Sequence, residues 1–392
     1  MKLKKLLLPV ALCASIAFSA QAQNREVKAA AGDAYIEKQG SYTPDFKIDG
    51  TNKRVRNVIL LIGDGMGHGA VNAAMYANGG ELTMTNLRTF GLVRTQSADN
   101  FTTDSAASGT AYATGQKTNN GYLGVNTAKE RIPNIPEILA PLGYACGVLS
   151  TDDLNGATPA AFFAHQPARG MKEEIWADLP ASSLTFASAG TQNAYETRPL
   201  ATQEAIRGRY TVVYDPKDPA VAGSERLLYL PETVTLDRGD YLPATTEMAI
   251  EYLSARSKKG FFLMVEGARI DKSEHSNDFP GTVKEALDFD KAVEAAIRFA
   301  ERDGHTLVVI SADHETGATI LSKAEPENGY ALGIFASKGH SPMMVPLFAY
   351  GPRSREFSGT QENSDVANKI IAILTGKKGP VPSVPSKYIV NR

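Results

Sequence analysis

Cysteine is nearly missing from these 392 residues: there are two, Cys13 and Cys146, alongside a single tryptophan. A disulfide framework of the kind that staples small exported domains is therefore excluded, and so is a four-cysteine zinc site. An excess of either charge is missing too. Lys plus Arg number 41 against 43 Asp plus Glu, a formal charge of -2, which leaves no broad basic field for a polyanion and argues against specific nucleic-acid binding. Apolar runs of membrane-spanning length, about 20 residues, are missing as well, so no transmembrane helix is expected. What remains is 43% hydrophobic with 34 glycines, an ordinary globular composition that excludes disorder, collagen and coiled coil.

Lys2, Lys4 and Lys5 precede an apolar stretch from Leu6 to Phe18, and Ala20, Gln21 and Ala22 follow. A charged n-region, a short apolar h-region and an A-x-A site read as a secretory signal peptide over residues 1–22, so the expectation is an exported protein, periplasmic or secreted. Cys146 would then be the one thiol of the mature chain; in the apolar stretch 144–149 it reads as a buried structural group. Residues 23–54 are polar and weakly periodic and read as an N-terminal arm, with a single domain over 55–392.

Continuous apolar runs at 58–62, 145–149, 261–265, 306–310 and 345–350 lack polar alternation and suit strands buried on both faces. Between them, apolar residues recur at helical spacing over 135–142, 245–255, 285–302 and 364–374. Strands alternating with helices predict α/β architecture: a three-layer α/β/α sandwich with a mostly parallel central sheet. Residues 170–243 are less regular and read as an insertion or small peripheral subdomain. The tail from Gly379, with Pro380, Pro382 and Pro385, reads as extended.

Three of these runs lead directly into ligand-type residues. The first is followed by Asp64, the third by Glu266, Asp271 and His275, and the fourth by Asp313 and His314; His340 stands just before the last run. In open α/β sheets, sites form outside the carboxyl ends of the strands. Three histidines with several carboxylates make a nitrogen and oxygen donor set suited to zinc or another catalytic divalent ion. His305 reads as a surface residue, and His68 and His165 as structural ones or as supports of the ligands. Ser105, after Asp104 and before a run of small residues, can sit at a helix N-terminus, where the positive end of the dipole favours an anion. Capping is the plainer use of an Asp-Ser pair, but beside a divalent cation a serine becomes a candidate nucleophile.

These stretches resemble the alkaline phosphatases, metal-dependent phosphomonoesterases. The match runs through VILLIGDGMG at 58–67, TDSAASGTAYATG at 103–115, ATPAAFFAHQPAR at 157–169, FLMVEGARIDKSEH at 262–275, ISADHETG at 310–317 and GHSPMMVPLFAYGP at 339–352. The resemblance implies one zinc held by Asp271, His275 and His340, and a second held by Asp64, Asp313 and His314 beside the nucleophile Ser105. It implies a third ion, magnesium, held by Asp64, Thr158 and Glu266. Arg169 would clamp the two non-bridging phosphate oxygens with its planar fork, and Lys272 would reach the phosphate through water. The implied reaction transfers the phosphoryl group of a phosphate monoester to Ser105 and then hydrolyses that phosphoserine to inorganic phosphate. A homodimer or a monomer is open.

The chain departs from the family pattern two residues before Thr158, where Gly156 replaces the Asp of many bacterial members and the His of animal ones. The surroundings and identity of the third ion are therefore open, with Asn155 or Asp153 available to compensate. Two other functions fit parts of the pattern: a phosphodiesterase or other hydrolase of the same superfamily, and a non-catalytic exported protein that binds zinc or phosphate.

Overall fold

The structure, a computed structural model, describes residues 30–235 and 238–377. The signal segment 1–22, the first part of the arm and the tail from Gly379 lie outside the described residues. A ten-stranded sheet organises the chain. From one edge to the other its strands are Gly359–Glu362, Thr89–Arg94, Val345–Tyr350, Thr306–Ser311, Asn57–Gly63, Phe261–Gly267, Ala145–Ser150, Phe186–Ser188, Leu227–Tyr229 and Thr211–Val213. All run in one direction except Val345–Tyr350, which is antiparallel to both neighbours. The mostly parallel sheet expected from the apolar runs is thus present. Three short strands of the irregular 170–243 region extend one end of this same sheet, and part of the arm, Ala30–Tyr35, pairs with Tyr330–Phe335 in a separate three-stranded sheet.

The absence of polar alternation in the central strands has a direct cause. Successive side chains point to opposite faces, and both faces are covered by helices. Phe261 packs on Phe299 of the long helix Phe279–Asp303, whereas its neighbour Phe262 stacks on Phe162, beyond the helix Ala157–Ala161 on the other side. Every residue of Asn57–Gly63 and of Phe261–Gly267 is buried, and each large apolar side chain so enclosed contributes about 1.5–3 kcal/mol.

Parallel register brings the functional loops to one end of the sheet. Ile62 lies beside Glu266 on one side and Ser311 on the other, and Ser150 lies beside Glu266. Asp64 and Asp313, one and two residues past their strands, therefore emerge together next to Glu266. A small two-stranded ribbon pairs Thr316 with His340, which carries His340 back to the same place from a later loop.

Candidate metal centre and nucleophile

Loops from three strand ends are stitched together by the main chain. Asp271 N–H donates to the Asp64 carbonyl at 2.9 Å and Thr316 N–H to the Gly65 carbonyl at 3.1 Å. Gly65 has φ of +75°, and a Cβ there would stand 2.8 Å from Asp271 Cα; only glycine permits both the turn and the close approach.

Asp64, Asp313 and His314 form the deeper cluster, all buried, with ligand atoms within 4.8 Å of one another. His314 Nε2 faces Asp313 Oδ2 at 3.3 Å and Asp64 Oδ1 at 3.4 Å, and neither oxygen has a hydrogen-bond donor. Ser105 Oγ lies 3.1 Å from the same ring nitrogen. Orphaned buried acceptors around an imidazole nitrogen are costly unless a cation occupies the gap. Burial and the nearby charge of Asp271 push Asp313 up to about 7, and burial with Asp313 and Asp271 pushes Asp64 well above the carboxylate range. His314 is driven well below the ordinary imidazole value by burial and by His340.

Asp271 and His275 stand one turn apart on the helix Arg269–Ser276 and so share a face. With His340 they form a shallower cluster of the same span. His340 Nε2 is 3.2 Å from His275 Nε2 and 3.7 Å from Asp271 Oδ1. The opposite nitrogens are engaged by main-chain carbonyls: His275 Nδ1 with Lys338 at 2.5 Å and His340 Nδ1 with Thr103 at 2.9 Å. Since a carbonyl only accepts, Nδ1 of each ring carries a proton and Nε2 faces inward, the orientation of metal-ligating histidines. Without a cation, hydrogen bonding to Asp271 raises His275 to about 9. The clusters adjoin, for the His314 and His340 rings stack with centroids 3.5 Å apart. The donor sets and the orphaned oxygens both fit divalent cations.

Beyond Asp64 lie Thr158 and Glu266, both buried. Burial and the charge of Asp152 push Glu266 up to about 8, although the Ser150 hydroxyl donates to it. The Thr158 hydroxyl faces this carboxylate without forming a hydrogen bond of ordinary geometry.

Ser105 is the first residue of the helix Ser105–Thr114, and the capping is done by Asp104, whose Oδ1 accepts from Ala107 N–H at 3.0 Å. The capping reading thus belongs to the aspartate, and the serine hydroxyl is free to face His314. The other Asp104 oxygen accepts from Arg169 NH1 at 3.1 Å, which turns the guanidinium toward the serine helix while leaving its side chain 41% exposed. Lys272 is ion-paired with Asp152. Thr316, Ser150 and Asp152 escaped the sequence reading; Thr316 donates to Asp271 Oδ1 at 2.5 Å, and only their long-range contacts reveal any of the three. His165 bonds Gly124 O and Glu137, His68 packs against Phe90, and half-buried His305 meets Arg54 O. The cavity of about 690 Å³ lined by Tyr214, Tyr229 and Met248 contains none of the predicted ligands.

A mostly parallel sheet with two donor clusters beside a helix-borne serine suits a metal-dependent hydrolase. The alkaline phosphatase family profile matches residues 55–201 and 235–332. Alkaline phosphatase 4 of Bacillus subtilis is 32% identical over 81% of this chain and 74% of its own length. The Escherichia coli alkaline phosphatase is 30% identical over 86% and 89%, respectively. The solved alkaline phosphatase of the Antarctic bacterium TAB5 superimposes with a TM-score of 0.77 at 34% identity, covering 83% of this chain and 99% of that one; two of its mutants hold magnesium in the M3 site. This chain belongs to the alkaline phosphatase family, and its activity is hydrolysis of phosphate monoesters.

Proposed function

We propose that catalysis proceeds through a phosphoserine on Ser105, with zinc held by Asp271, His275 and His340, zinc held by Asp64, Asp313 and His314, and magnesium held by Asp64, Thr158 and Glu266. The observation that carries this reading is the 3.1 Å contact of Ser105 Oγ with His314 Nε2, at the point where the unpartnered Asp64 and Asp313 oxygens converge. Divalent cations bound there would stabilise entering and leaving oxygens and lower the pKa of water from about 15.7 to about 7.

Ser105 Oγ forms its bond to phosphorus as the ester oxygen departs to become the alcohol. In the second step a water oxygen takes its place, the Ser105 Oγ–P bond breaks and phosphate leaves. The positive end of the Ser105–Thr114 helix faces the anion in both steps. Arg169, oriented by Asp104, offers a fork to two non-bridging oxygens, a pairing that a dianionic monoester satisfies better than a diester. Lys272 adds positive charge on the side of Glu266.

Ser105→Ala should lower phosphomonoesterase kcat by several orders of magnitude while zinc content, read by atomic emission, stays near the wild-type level; near-normal turnover would refute the phosphoserine. We also propose export with removal of residues 1–22, supported by the n-region, h-region and A-x-A pattern. Amino-terminal sequencing of exported protein should then begin at Gln23, and a retained Met1 would exclude it. Among the described residues no helix is long and apolar enough to cross a membrane.

A further inference from the structure

Gly156 interrupts the family pattern beside the third ion, yet its backbone, with φ -60° and ψ 150°, is open to any residue. Conformation does not demand glycine there; space does. A Cβ at 156 would stand 2.6 Å from Asp152 Oδ2 and 2.8 Å from the Asp153 carbonyl, so a carboxylate arriving from four residues earlier already fills that volume.

We propose that Asp152 is the positioning residue that completes the Asp64, Thr158 and Glu266 site from outside and makes it selective for magnesium. The inference rests on the third-site reading given above. Asp152 is tied to this place at both ends. Its main-chain N–H donates to Ser150 Oγ at 2.8 Å, and that same hydroxyl donates to Glu266 Oε2. Its Oδ1 pairs with Lys272 Nζ, one residue from the ligand Asp271. Of the two residues offered by the sequence, Asp153 does not substitute for it, because its Oδ1 lies against Gly190.

The resulting donor set is oxygen throughout: two carboxylates and a hydroxyl at the ion, with a third carboxylate behind. Magnesium keeps several of its waters and takes oxygen ligands, and Asp152 supplies an acceptor for such waters. Zinc, which favours nitrogen and sulfur, finds neither here. Lys272 is at the same time held on Asp152, which fixes where its charge enters the cleft.

The test is calorimetric titration of magnesium into zinc-loaded enzyme, wild type against Asp152→Asn, Asp152→Ala and Glu266→Gln. The Asp152 side chain is 30% exposed, so both variants should fold, which circular dichroism checks. Loss of a group that orients a metal's waters and ligands weakens affinity by roughly 10–100-fold, and that is the expected fall for both Asp152 variants. The rise in Tm on adding magnesium should shrink with it. Magnesium affinity within twofold of wild type in Asp152→Asn, with Glu266→Gln losing it, overturns the role of Asp152 alone. Unchanged affinity in Glu266→Gln overturns the third site itself, and the inference falls with it.

Discussion

Glu137 and Asp313 are both carboxylates withdrawn from water, and they titrate in opposite directions. Burial raises Glu137, but His165, the Asn134 N–H and Arg131 outweigh it and bring the group down to about 2. Asp313 is raised to about 7 by burial and Asp271, and the N–H groups of Gly65 and His314 offset this only in part. The difference lies in who answers the charge. Around Glu137 the protein supplies the partners itself, including a capping box with Asn134. At the ends of the central strands it gathers carboxylates that repel one another and supplies too few donors, an arrangement stabilised by cations from outside.

Chelation should have the largest effect. In metal-free protein the folded-state pKa values of Asp313 and Glu266 lie above those of unfolded chains, so folding favours their neutral forms. Their contribution is fully present below the unfolded values of 3.8 and 4.5 and is lost as pH rises through about 7 and about 8. Calorimetry should therefore find chelation abolishing activity and lowering Tm, with the gap to the metal-loaded enzyme widening from pH 5 to pH 8. In the same melts Asp64→Asn should raise the Tm of the metal-free protein at pH 8, because one repelling charge is gone. A gap independent of pH, or a destabilised metal-free Asp64→Asn, would place the repulsion elsewhere. The smallest effect belongs to the other side of the comparison. Glu137→Ala should cost about 1 kcal/mol in urea denaturation at pH 7, in the range of a lost helix cap, and the cost should disappear as pH falls from about 4.5 toward 2, because the native pKa is depressed. Metal content and turnover should stay unchanged; a turnover defect would tie Glu137 to the site.

The central strands were legible in sequence because burial on both faces leaves continuous apolar runs, and the apolar stretches at 58–62 and 261–265 each lie within an observed strand. The long helix begins at Phe279 rather than near Glu285, since Pro280 and Gly281 look like breakers. In a first turn, however, proline loses no helical hydrogen bond, and Asp278 caps Gly281 N–H at 3.0 Å. Strands of three residues at Phe186–Ser188, Thr211–Val213 and Leu227–Tyr229 are too short to carry a period, which is why 170–243 read as irregular. At the site, the ligand-type residues stood out by following strands. Asp152 did not, because nothing local distinguishes it from Asp153; the choice is made by Lys272, 120 positions away.

The order of residues alone determined that this chain would build a parallel sheet and deliver Asp64, Glu266, Asp313 and Ser105 from strand ends and a helix start, because apolar periodicity and capping act within a few residues. Tertiary structure decided which ring nitrogen of His275 and His340 faces inward, which acid fills the space at Gly156, and where Arg169 and Lys272 point. Those choices rest on carbonyls, carboxylates and packing volumes contributed by distant segments, and such groups meet only when the sheet has closed its register.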